Sequence, residues 1–94
     1  MYARVTHSKG DPAKADEGIR FIREKAVANV KTQPGFKHGY WLVDRKSGAG
    51  IAITLWESEQ AMKATDASAK QLVDHVPSGI QVTGVERYEV VAEA

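Results

Sequence analysis

The chain has 94 residues, 43% apolar and 27% charged, with 13 Lys+Arg against 12 Asp+Glu and no cysteine. That length reads as a single domain spanning residues 1–94, and the mixture is globular rather than disordered. A net charge of +1 gives a polyanion little to hold. The missing thiols exclude disulfides, thiolate zinc sites, iron–sulfur ligation and a cysteine nucleophile.

The elements follow in order. Tyr2 to His7 alternate and carry β-branched side chains, which predicts a short strand. Ser8-Lys9-Gly10-Asp11-Pro12 is a turn into a helix, with Asp11 as cap and Pro12 in the first helical position. Ile19, Ile22, Ala26 and Val30 recur at helical spacing until Gln33-Pro34-Gly35 ends the run. Phe36 to Asp44 reads as a second strand, Arg45-Lys46-Ser47-Gly48 as a hairpin turn and Gly50 to Trp56 as a third strand. Ser58 caps a second helix with Ala61, Met62, Thr65, Ala69, Leu72 and Val73 on one side. Pro77-Ser78-Gly79 breaks it, and Ile80 to Val91 forms a last strand, bent or bulged at Gly84.

This is β-α-β-β-α-β, the α+β ferredoxin-like arrangement, with two helices on one face of a four-stranded antiparallel sheet. Both sheet faces read as apolar. On the third strand Ile51, Ile53 and Leu55 point one way, and Ala52, Thr54 and Trp56 the other. Two helices cover one face only, and a soluble monomer seldom exposes so large an apolar patch. A second copy is therefore expected against it, giving a homodimer with a cavity between two sheets. No apolar run approaches the ~18 residues of a membrane span, and the opening residues have no apolar signal core. The expectation is a cytoplasmic protein with no membrane partner.

Trp56-Glu57-Ser58-Glu59-Gln60-Ala61, together with Pro34-Gly35-Phe36 before the second strand, resembles the antibiotic biosynthesis monooxygenase-like family of dimeric α+β barrels. The resemblance covers nearly the whole chain in element order. It implies a cofactor-independent monooxygenase acting on a small quinol- or polyketide-like aromatic. The alternative is a non-catalytic small-ligand-binding or structural homodimer of the same fold. In quinone-forming members a tryptophan at the end of the third strand shapes the pocket, and Trp56 matches it. Their strand asparagine, pocket tyrosine and late arginine fall here at Ala52, Met62 and Val76. In haem-degrading members an axial histidine falls at His75, but their ruffling tryptophan falls at Thr65. The chain's one asparagine, Asn29, lies in the first helix. Haem degradation is therefore not expected.

The candidate residues follow. Trp56 stacks on a planar ligand or packs at the dimer face. Tyr40 and Met62 join it as substrate-binding candidates. His75, His38 and His7 are the candidate bases, because histidine changes charge near neutral pH. His75 also suits an exposed helix C-terminus. His38 shares a face with Tyr40. Three histidines without ligand spacing do not make a metal site, and the resemblance implies no cofactor. His38-Gly39-Tyr40-Trp41-Leu42-Val43 faintly matches the aromatic strand of RNA-recognition domains, but on the second strand and without a flanking basic stripe. Nucleic acid is not an expected partner.

Overall fold

The computed structural model describes residues 1–74 and 79–94. Strands β1 (Tyr2–Lys9), β2 (Phe36–Val43), β3 (Ala49–Trp56) and β4 (Gln81–Glu89) form one antiparallel sheet in the order β2-β3-β1-β4. The expected α+β ferredoxin-like order is the observed one. Between β1 and β2 the chain makes a 3-10 turn (Pro12–Lys14), α1 (Ala15–Phe21), a π-helical turn (Ile22–Ala26) and α2 (Val27–Lys31). Between β3 and β4 it makes α3 (Glu59–Ala64) and α4 (Asp66–Asp74). Among the described residues no helix is long and apolar enough to cross a membrane.

The caps are local. The Asp11 carboxylate accepts from the Ala13 N–H at 2.9 Å, with Pro12 supplying the fixed φ of the first position. The Ser58 hydroxyl accepts from the Ala61 N–H at 3.1 Å. Two glycines are required by their backbone. Gly48 has φ +81°, its carbonyl accepts from the Gly10 N–H at 2.8 Å, and a Cβ there would run into the Gly10 carbonyl oxygen. Gly35 has φ +84°, and a Cβ there would come within 2.6 Å of Ala61 Cβ.

Two elements differ from the sequence reading. The first helix is not uniform: five residues wind as a π turn. The second helix divides at Thr65, because the Met62 carbonyl is diverted. A continuous helix would offer that oxygen to the Asp66 N–H. Here it accepts from the Arg4 guanidinium at 2.7 Å and from the Thr65 hydroxyl at 2.7 Å. The expected irregularity near Gly84 is present, since the β1–β4 register runs His7↔Gly84 and then Ser8↔Val82.

Paired residues on neighbouring strands point to the same face, so the register sorts the sheet. Arg4, Thr6 and Ser8 of β1 align with Thr54, Ala52 and Gly50 of β3, and Trp41 of β2 aligns with Ala52. Val5 and His7 share the other face with Ile53 and Ile51, and with Tyr40 and Leu42. The first set faces the helices. The second faces away, with Tyr40, Leu42 and Tyr88 all at least half exposed.

Candidate functional site

A cavity of about 210 Å³ lies between the helices and the covered face of the sheet. It is a space within one chain and is distinct from the expected cavity between the sheets of two copies, which a single chain does not display. The covered face carries Thr6, Ser8, Gly50 and Ala52, which are too small to fill the gap up to Gly18, Ile19 and Ile22 of the first helical run. Ile22 and Ala26, the two ends of the π turn, both line the cavity. Such turns concentrate at functional sites because they displace a helix wall locally.

The deep end is built from Trp56, Thr54 and Arg4. Trp56 is fully buried, its ring held edge-on by Phe36 at 5.5 Å between centroids. Its indole N–H donates to the Thr54 hydroxyl at 3.0 Å. The Arg4 guanidinium carbon stands 5.6 Å from the ring centroid, within cation–π range. Arg4 is itself only 6% exposed. Its Nη2 donates to the Met62 carbonyl, to the Thr65 hydroxyl at 3.0 Å and to Asp66 Oδ1 at 2.6 Å. Arg87 donates to the same Asp66 oxygen at 3.2 Å. Burial pushes the Asp66 carboxyl up, but the hydrogen bonds from Arg87 and Arg4 outweigh it and hold the group below the usual aspartate range.

Trp41 supplies the accessible aromatic wall. It is half-buried, lines the cavity and lies across bare backbone at Gly39, where a Cβ would sit 2.7 Å from its ring. Asn29 and Gln33 line the cavity from α2 and its end.

The candidates drawn from the sequence separate. Trp56 and Met62 lie at the covered face, both without appreciable exposure; Trp56 lines the deep end of the cavity, and Met62 is not part of the lining. Tyr40 and His38 stand exposed on the open face. His7 is there too: its Nε2 meets Glu86 Oε1 at 2.5 Å, and Tyr88 donates to Glu86 Oε2 at 2.6 Å. These two bonds, Tyr88's first, hold the Glu86 carboxyl below its usual range, and Glu86 in turn pushes the Tyr88 phenol up. The structure thus brings neither His7 nor His38 to the cavity. His75 lies outside the described residues. Among the described residues no three His, Cys, Asp or Glu side chains cluster as a metal site.

Arg4 was the residue to find. Its signal was an arginine in the middle of a strand, alternating with Thr6 and Ser8 on the face that helices must cover. Asn29 was set aside because it sits on a helix, yet that helix faces the cavity.

No family model matches the chain. It is 30% identical over 93 residues to the uncharacterized protein Rv2557 of Mycobacterium tuberculosis, covering 98% of this chain and 42% of that protein. It is 35% identical over 65 residues to the uncharacterized protein Rv2558 of the same organism, covering 69% of this chain and 28% of that one. The chain therefore spans less than half the length of these relatives. Among solved structures, an antibiotic biosynthesis monooxygenase superposes with TM-score 0.76 at 20% identity, covering 98% of this chain and all of the other. The heme-degrader MhuD of Mycobacterium tuberculosis, with two hemes bound in its active site, gives 0.74 at 20% identity over all of this chain and 99% of its own. The ActVA-Orf6 monooxygenase of Streptomyces coelicolor, in complex with Nanaomycin D, gives 0.73 at 16% identity over 99% of this chain and 89% of its own. The chain has the fold of the antibiotic biosynthesis monooxygenases.

Proposed function

We propose that this chain, which has that fold, belongs to the antibiotic biosynthesis monooxygenase-like family and works as a homodimer. Each copy holds a small, electron-rich aromatic in the cavity between its helices and its sheet. The observation that carries this reading is the composition of the covered face. A helix–sheet interface normally fills from both sides, whereas here Ile19, Ile22 and Val30 of the helical run face Thr6, Ser8, Gly50 and Ala52 of the sheet, with Trp41 beside them, and about 210 Å³ stays open within a mostly apolar lining. That exceeds the ~150 Å³ engineered void that takes up benzene. It falls below the ~300–1,000 Å³ of ordinary drug-sized pockets, which suits one or two fused rings and is too small for a porphyrin.

The reaction assigned is oxygenation without a cofactor. The deprotonated substrate supplies electrons to O₂, one oxygen atom enters the ring as a carbonyl and the other leaves as water. The protein binds, orients and keeps bulk water from the reacting carbon. A second reading, ligand binding without turnover, is favoured by one observation: the described residues lining the cavity include no histidine.

One experiment tests both. Trp41 fluorescence is followed while hydroxylated naphthalenes and naphthoquinones are titrated in, with Trp41→Phe as the control for Trp56, and oxygen uptake is recorded for each ligand that binds. Saturable quenching with oxygen uptake supports the oxygenase. Quenching without uptake supports the binding protein. No saturable response from any planar phenol, with the fold intact, removes the ligand-site reading.

A further inference from the structure

We propose that the cavity binds its aromatic ligand as a phenolate and that the Arg4 guanidinium is the group that stabilises the negative charge. This rests on the reading of the cavity as an aromatic site.

Arg4 lines the cavity, and less than a tenth of its side chain is exposed. All its hydrogen bonds leave from one nitrogen, Nη2, while Nε is buried without an acceptor and Nη1 has none among the described residues. A guanidinium carries five N–H donors in a fixed fork. Nε has no surface for a ligand to meet, so the donor left for an acceptor in the cavity is Nη1, on a residue that lines it. Geometry and charge agree. Arg4 and Arg87 share a single carboxylate, Asp66, which leaves one positive charge at this end of the cavity. The other charged groups lining the cavity, Asp11 and Lys14, are of opposite sign, and the Asp11 carboxylate already accepts from the Ala13 N–H.

A free phenol ionises near ~10. Burial alone raises that value, whereas an adjacent fixed cation lowers it by roughly 1–3 units. The two effects have opposite signs, so the direction of the shift identifies the winner. The step itself is simple. The O–H bond breaks, its electron pair stays on the oxygen facing Arg4, and the proton passes to bulk water past exposed lining residues such as Lys14 and Asn29. Nothing is oxidised or reduced. The phenolate is the form that gives electrons to O₂, and stabilising it in place removes the need for a histidine base in the cavity.

The test uses 2-naphthol, whose naphtholate absorbs at longer wavelength than the neutral molecule. Bound to excess wild-type protein, it is expected to ionise at least about one unit below its free value, a tenfold shift. In Arg4→Met the bound value should return to the free value or rise above it; Arg4→Lys should keep part of the shift, and Lys31→Gln, at an exposed position outside the cavity lining, should keep all of it. Should Arg4→Met fail to fold, wild-type affinities decide. Binding of 2-naphthol should tighten as pH rises through its bound ionisation, while 2-methoxynaphthalene, which has no proton to lose, should stay flat. Binding of 2-naphthol with an unchanged or raised ionisation overturns the proposal and leaves the aromatic site standing. No binding of either compound removes the aromatic site and this proposal with it.

Discussion

The two faces of the sheet place their bulk differently. The face under the helices carries small and polar residues at its centre, Thr6, Ser8, Gly50 and Ala52, and keeps its large ones, Trp41, Val43, Trp56 and Val82, around them. The face turned away carries Val5, Ile51, Ile53 and Leu55, with Tyr40 and Leu42 from the edge strand. In most helix-on-sheet domains the large apolar residues lie between the layers and the polar ones face water. The difference separates two tasks. The covered face leaves a space, which the proposed function fills with a small guest, and buries Trp56 and Met62 completely beside it. The open face is an exposed apolar surface, and it is where the proposed homodimer would pair one copy with another.

The largest effect comes from breaking the covered face at its densest point. Trp56→Ala removes the ring that Phe36, Thr54 and Arg4 all hold. Truncating a large buried aromatic costs on the order of 3–5 kcal/mol, most of the stability of a small domain. The urea midpoint is expected to collapse, or the protein not to fold. A loss under about 1 kcal/mol would mean that Trp56 is a loose cavity wall and not part of the core.

On the open face the prediction is the opposite: assembly changes and the fold does not. Ile51 is 36% exposed and pairs with His7 on the face opposite Thr6 and Ala52. Wild type should sediment at twice the 10.3 kDa chain mass. Ile51→Lys should keep the far-ultraviolet circular dichroism of wild type and sediment as a single chain, because a charge buried without a partner weakens association by about a hundredfold or more. A wild type that is a stable monomer at micromolar concentration would sink the comparison. So would an Ile51→Lys variant that still dimerises.

The sequence made the strand order, the turns and the two-faced sheet legible because period-2 alternation and glycine chemistry are local signals. The register of Tyr2 to His7 against Gly50 to Trp56 could not be read locally, so the faces were known strand by strand but not matched across the sheet. That is why strand patterns alone do not separate His7, His38 and Tyr40 on one face from Trp56 on the other. The roles of Trp56 and Met62 were partly visible, since a tryptophan closing a strand is readily recognised as a packing or pocket residue. Arg4 was overlooked because a charged residue in a strand normally signals an exposed position. Its acceptors, Met62, Thr65 and Asp66, lie about sixty residues away, beyond any local pattern. The break at Thr65 has the same origin, since the acceptor that Arg4 withdraws belongs to the helix.

The smallest effect compares the ionic group on each face through acid. Asp66 serves Arg4 and Arg87 on the covered side, and Glu86 serves His7 and Tyr88 on the open side. Both carboxyls titrate below their ordinary values of 3.8 and 4.5. A carboxyl held lower in the folded state than in the unfolded chain stabilises the fold above its unfolded value, and the contribution is lost as pH falls through its folded value. The signs are therefore the same, and exposure decides the sizes. Glu86 is open to water, which screens its contacts, and Glu86→Gln should leave the urea midpoint unchanged from neutral pH to pH 3. Asp66 is part-buried and neutralises a guanidinium that is almost wholly buried. Asp66→Asn keeps an oxygen acceptor but loses the charge, and should cost about 1 kcal/mol near neutral pH, a discounted figure for a group still partly wet. The gap between Asp66→Asn and wild type should hold from pH 7 to about pH 4 and close below 3.8, as wild-type Asp66 takes up its proton. A gap of constant size down to pH 2 would assign the loss to packing and not to charge. A larger response from Glu86→Gln than from Asp66→Asn would put the electrostatic weight on the open face and reverse the comparison.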